Sequence, residues 1–218
     1  MIIWCASYPK SGNTWVRAII SSLLYSENGI FNFNMLRKVS IFPKRFYFKG
    51  FVNDYSNLKK ISHYWITAQE KINSDDKLRI FKTHHGNYNF LGKDFTNKKN
   101  TLGVIYVVRD PRNVITSISN HYQLSAEQSV NFLLDEKRFL FNKNDPNDLT
   151  EENIITLLGS WKTHYNSWKI ASNSIIIRYE DLLLNTELEI VNLSKFIKKF
   201  IKFKVDDKKI HNILKTTS

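Results

Sequence analysis

The first twenty-six residues constrain the fold more than any other stretch. A short apolar run, Ile2-Ile3-Trp4-Cys5-Ala6, breaks at Tyr8-Pro9 into a polar loop, Lys10-Ser11-Gly12-Asn13-Thr14, and a helical pattern begins at Trp15. A strand that turns tightly into a helix builds an anion site. The first amides of a helix have no intrahelical partner, and the helix dipole favours negative charge there. Gly12 permits close backbone approach, Lys10 adds a full charge, and Ser11 and Thr14 add hydroxyl donors. The loop is not the nucleoside-triphosphate version GxxxxGK[ST], whose lysine follows the second glycine, because Lys10 precedes Gly12.

The remaining pattern extends this unit into a sheet. Short β-branched runs at 2–7, 78–82, 102–108 and 174–178 have the continuous apolarity of strands buried on both faces. Helical patterns lie at 14–26, 55–71, 111–122, 126–140, 151–171, 184–199 and 206–215. The alternation predicts an α/β fold: a P-loop-like three-layer architecture with a mostly parallel central sheet flanked by helices. Ligands of such sheets bind beyond the carboxyl ends of the strands, so the first loop, residues 83–86, residues 109–117 and Tyr179 should converge on one crevice. The aromatic, basic stretch 27–54 has no clean period and reads either as a surface excursion or as a pocket wall.

At 218 residues the chain is expected to form a single domain over 1–218. A net charge of +12 favours anionic ligands, but the basic run from Lys195 to Lys209 reads as a solvated face, so no nucleic-acid partner is expected. One cysteine, Cys5, excludes an internal disulfide. No carboxylate cluster suggests a metal. No apolar run is long enough for a transmembrane helix, and the N-terminal run is too short for a signal peptide, which predicts a cytoplasmic protein.

YPKSGNTW resembles the 5′-phosphosulfate loop of the sulfotransferases, usually YPKSGTTW, with Asn13 in place of a threonine. These enzymes take a sulfuryl group from 3′-phosphoadenosine 5′-phosphosulfate (PAPS). YVVRDPRNVITSISNHY is similar to their 3′-phosphate motif, in which an arginine and a serine eight residues later bind that phosphate; Arg109 and Ser117 occupy those positions. LRIFKTHHG resembles the segment that carries the family's catalytic base. His84 is at the matching position and His85 stands where leucine is usual. Ser160-Trp161 followed by Tyr179-Glu180-Asp181-Leu182 resembles the SW…YEDL segment, whose tyrosine lies near the adenine, with Trp15 as a second ring. The four motifs run in order from Tyr8 to about Leu182. The family's closing segment, RKGxxGDWK, has no counterpart after Leu182, which implies a fragment or a natural short form with an open donor site.

The resemblance implies in-line transfer to an acceptor hydroxyl, or less favourably an amine, on a small molecule, sugar or lipid. His84 would be the base, and Lys10 and Lys82 the catalytic cations. Lys10, Ser11, Gly12, Asn13, Thr14, Trp15, Arg109, Ser117 and Tyr179 would hold the donor, without a metal. Two alternatives stay open: an inactive nucleotide-binding module of the same fold, and a P-loop kinase.

Overall fold

The computed structural model describes residues 1–141, 154–169, 171 and 173–217. Five parallel strands form the central sheet: β1 (Ile2–Ser7), β2 (Ser40–Ile41), β3 (Arg79–Thr83), β6 (Thr101–Val108) and β9 (Ser174–Arg178), in the order β2-β3-β1-β6-β9. Two small antiparallel pairs stand outside it, β4 (Asn89–Phe90) with β5 (Lys93–Asp94), and β7 (Phe139–Leu140) with β8 (Thr156–Leu157). The four strands expected from the sequence are all present, each within one residue of its expected bounds. The short edge strand β2 comes from the 27–54 stretch.

Every residue of β1 is buried because both faces of the sheet are covered. Ile3 and Cys5 pack against α1 (Asn13–Tyr25), α9 (Thr186–Lys198) and α10 (Asp207–Thr217), while Ile2, Trp4 and Ala6 face a second core. That core is aromatic. Trp4 meets Phe42, Phe81, Phe95 and Trp168 at centroid distances of 5.4–6.2 Å, and its indole donates to Thr101 Oγ1 at 2.9 Å. Alternation along a strand with two buried faces accounts for both cores.

Helices depart from expectation where packing overrides periodicity. The run 55–71 divides into α3 (Leu58–Ser62) and α4 (Trp65–Ile72), following the four-residue α2 (Arg45–Phe48). The turn between them lets Leu58, Ile61 and Trp65 all reach the aromatic core. The helix expected at 126–140 ends as α6 (Ala126–Leu134), because Asp135 turns extended and Phe139 and Leu140 pair with β8. Of the helix expected at 151–171, residues 151–153 and 170 lie outside the described residues. Thr156–Leu157 is strand, and the helix is α7 (Trp161–Lys169). The helix α5 (Pro111–Tyr122) matches expectation, with Asp110 accepting from the Arg112 amide and proline in the first turn. A further short helix, α8 (Tyr179–Leu184), begins at the residue after β9.

The 27–54 stretch is both excursion and wall. Phe42 and Phe48 are core residues, whereas Phe31 and Phe33 line the crevice described below. Arg17 on α1 holds the stretch in place through Nη2 bonds of 2.8 Å to the carbonyls of Leu36 and Val39.

Candidate active site

The carboxyl ends of β1, β3 and β6 open into a cleft of about 720 Å³. Lys10, Gly12, Asn13, Thr14, Trp15, Lys82, His84, Arg109, Ser117 and Tyr179 all line it, so residues spread over 170 positions of sequence are brought together. Ser11, the remaining candidate, is buried in the loop itself. Among the described lining residues are four basic side chains, Lys10, Arg17, Lys82 and Arg109, and no carboxylate. A cleft of one sign attracts and concentrates anions.

The loop has the geometry of an anion cradle. Lys10 and Gly12 both adopt left-handed backbone, at φ 65° and 94°. Left-handed residues beside right-handed ones turn successive amides toward one point. A non-glycine residue at Lys10 pays for that conformation with strain, which persists at sites where the surrounding structure holds it. Arg109 supplies one such restraint by donating from Nη1 to the Lys10 carbonyl at 3.2 Å. Gly12 has a second reason to lack a side chain: a Cβ there would stand 2.5 Å from Cδ2 of Tyr179.

Among the buried polar atoms at the loop that have no protein partner are Oγ of Ser11 and Nε of Arg109. Buried polar groups are rarely left unsatisfied, so a ligand with several acceptor oxygens fits here. Asn13 behaves differently. Its side-chain amide turns inward, donating to the Cys5 carbonyl and to Ser7 Oγ, both at 3.1 Å. It ties the loop to β1, which leaves its backbone amide as the group that can meet an anion. Tyr179 also has a structural duty. Its ring backs Gly12, meets Trp15 edge to face at 6.0 Å, and carries the Arg109 guanidinium at 4.3 Å from its centroid. The two rings touch, so a base would lie against the outside of the pair rather than between them.

His84 lies beside the strand end from which the loop departs. Its Nδ1 lies 2.7 Å from the Ser7 carbonyl, which can only accept, so Nδ1 carries the proton and Nε2 keeps its lone pair. Burial, reinforced by the nearby charge of Lys82, holds its pKa well below 6.5 and keeps the ring neutral. Burial likewise lowers the Lys82 ammonium to about 8, with Arg17 as a second cause. His85 points away from the cleft. It is fully buried, stacked on Phe95 at 4.0 Å and met edge-on by Trp65 at 4.6 Å.

Five further cleft residues were not singled out in the sequence, although the 27–54 stretch was one candidate for a pocket wall. Arg17 lies one helical turn beyond Asn13 and Thr14, a spacing that places it on their face. Phe31 and Phe33 come from the stretch without a period. Thr216 and Thr217 arrive from the last turn of α10, where Thr216 Oγ1 accepts from the Phe31 amide at 3.0 Å. No local signal marked that last contact.

The sulfotransferase domain model matches residues 2–218. The chain belongs to the sulfotransferase domain family. It is 26% identical over 204 residues to mouse sulfotransferase 1 family member D1, covering 91% of this chain and 59% of that protein. To the luciferin sulfotransferase of Photinus pyralis it is 25% identical over 223 residues, covering 98% and 54% respectively. The chain thus spans rather more than half the length of these sulfotransferases. Among solved structures, mouse sulfotransferase SULT7A1 complexed with PAP (3′-phosphoadenosine 5′-phosphate) shares the fold with a TM-score of 0.60 at 19% identity. That match covers all of this chain and 64% of the other. Retinol dehydratase with retinol and PAP gives a TM-score of 0.57 at 16% identity over the same shares.

Proposed function

We propose that this sulfotransferase-family chain binds PAPS and transfers its sulfuryl group to a hydroxyl on a small-molecule acceptor. The observation that carries the reading is one cleft in which a strained anion loop stands beside a neutral imidazole with a free Nε2. The family relatives held with PAP, and with retinol or androsterone, support the donor and the acceptor class.

The loop amides, Lys10 and the Ser11 hydroxyl would hold the 5′-phosphosulfate, and Arg109 with Ser117 the 3′-phosphate, since guanidinium recognises phosphate bidentately. His84 Nε2 accepts the acceptor hydroxyl proton as its oxygen bonds to sulfur. The sulfur–oxygen bond to the 5′-phosphate breaks, and Lys10 and Lys82 stabilise the negative charge that develops on the leaving oxygen. This is catalysis by positioning and preorganised charge, as in phosphoryl transfer.

Calorimetric titration with PAP, set against ATP with magnesium, tests the donor site. PAP should bind in the micromolar range, and Arg109→Ala should weaken it at least about tenfold, the order expected for a lost charge-assisted bond. A preference for magnesium-ATP would overturn the reading in favour of the kinase alternative. No binding of either nucleotide would remove the donor site.

The rate should also have two pH limbs. Protonation of His84 removes the base, so activity falls as pH drops through a pKa below 6.5. Lys82 loses its charge as pH rises through about 8, so activity falls again above it. Initial rates across pH 5–9 check both limbs, and a rate still climbing past pH 9 would exclude Lys82 from the charge role.

A further inference from the structure

We propose that His164, bridged to Tyr106, is a positioning residue that sets the orientation of His84; this role rests on the sulfuryl-transfer reading above. His164 sits on α7 with no exposed surface. Its Nδ1 is 2.9 Å from the Tyr106 hydroxyl, and its Nε2 is 3.2 Å from the backbone carbonyl of His84. A carbonyl only accepts, so Nε2 carries the hydrogen. In a neutral ring Nδ1 is then the acceptor, and the Tyr106 hydroxyl donates to it. Burial supports both assignments, lowering the His164 pKa to about 3 and raising the Tyr106 phenol well above its usual value. One tautomer of His164 satisfies both neighbours.

His84 needs this support because of where it lies. Pairing of β3 with β1 ends at Thr83, so residue 84 is the first one the sheet does not hold. Two anchors replace the ladder. The Ser7 carbonyl fixes the ring through Nδ1, and the peptide that follows the Cα is held at its carbonyl by His164 and at its N–H, which belongs to His85, by Thr83 Oγ1 at 3.0 Å. The second anchor is itself rigid: Tyr106 belongs to β6, an interior strand of the sheet, and the Tyr8 ring meets His164 edge-on at 5.6 Å. A base held from both ends presents Nε2 to the cleft in one direction, much as a carboxylate orients the imidazole of a hydrolase triad. The titratable and charged groups that act on His84 are Lys82 on its own strand, Arg17 from α1 and His164 from α7.

Nitrogen-15 labelling of histidine, read through two-bond proton–nitrogen correlations, reports the tautomer and pKa of His84 without any acceptor or donor present. In the wild-type protein His84 should be a single Nδ1–H tautomer. Tyr106→Phe removes one oxygen and keeps the ring in the core, so it separates orientation from ring packing. We expect it to leave His84 as a mixture of tautomers with a pKa closer to 6.5. His164→Leu should do the same, and His164→Gln, whose amide can donate and accept, should restore the wild-type pattern. With an accepted hydroxyl acceptor, Tyr106→Phe should lower kcat about tenfold at unchanged KM, the low end of what losing an outer hydrogen-bond partner costs a metal-ligating imidazole. An unchanged His84 tautomer and pKa in Tyr106→Phe would overturn the proposal, whether or not His164→Leu folds. Failure of the wild-type protein to bind PAP would instead overturn the sulfuryl-transfer reading, since the tautomer measurement needs no nucleotide.

Discussion

His84→Gln should lower kcat by roughly 10² to 10⁴ while leaving PAP affinity within about twofold, because removing a positioned base costs that much and the donor is gripped elsewhere. The split follows from geometry. His84 reaches the cleft from the end of β3, with Nδ1 committed to the Ser7 carbonyl and Nε2 left for the acceptor. On the proposed reading the donor would be held by Lys10, Ser11 and Gly12, from the loop between β1 and α1, and by Arg109 just after β6. Steady-state kinetics beside calorimetry measure both quantities on one preparation. Near-wild-type kcat would remove His84 from the chemistry. A parallel loss of PAP binding would show instead that the substitution had deformed the donor loop. His85→Gln makes a useful contrast. That ring is packed between Phe95 and Trp65, so its replacement acts on the core rather than on the reacting atoms.

The second large effect is on stability. Trp4→Ala should destabilise the protein by about 3–5 kcal/mol, the range for emptying a buried tryptophan site, against a total on the order of 5–15 kcal/mol. Trp4 has no exposed surface and sits where Phe42, Phe81, Phe95 and Trp168 meet, contributed by the edge excursion, β3, the loop before β6, and α7. These neighbours belong to different elements, so the cavity cannot close by moving one side chain. The Thr101 hydroxyl also loses the indole donor. Urea unfolding followed by circular dichroism gives the difference from the midpoint shift at constant slope. A loss below about 1 kcal/mol would mean that the aromatic cluster collapses around the gap and that Trp4 is not its centre.

Much of this architecture was legible in the chain. The strands at 2–7, 78–82, 102–108 and 174–178 announce themselves because burial on both faces demands uninterrupted β-branched and aromatic residues, and that demand is local. The helix from Pro111 was equally clear, since Asp110 and Pro111 mark its start by hydrogen-bonding and dihedral chemistry that needs no tertiary partner. The anion loop belongs to the same class. Gly12 is required by the backbone turn itself, at a φ of 94°.

Elements whose length depends on distant partners were not legible. The period through 55–71 fits one helix, but the core has room for Leu58, Ile61 and Trp65 only if the chain turns between Ser62 and Trp65. Residues 139–140 read as the end of a helix and become strand because Thr156 and Leu157 lie alongside them. Asn13 carries the same lesson at the scale of one side chain. Its side-chain amide donates to the Cys5 carbonyl and Ser7 hydroxyl of the strand before it, a role that its place in the motif did not announce.

The sequence by itself determined the α/β order, the family and the residues that meet at the cleft, because strand patterning and loop chemistry are short-range requirements written in consecutive residues. The motif register pointed to His84, and tertiary structure supplied the physical reason that it, and not His85, faces the cleft. His84 and His85 are adjacent and chemically identical. Their roles diverge because the Ser7 carbonyl and the His164 imidazole capture one, while Phe95 and Trp65 enclose the other. Those partners are separated from them by up to 80 positions of chain, and only folding sets them side by side.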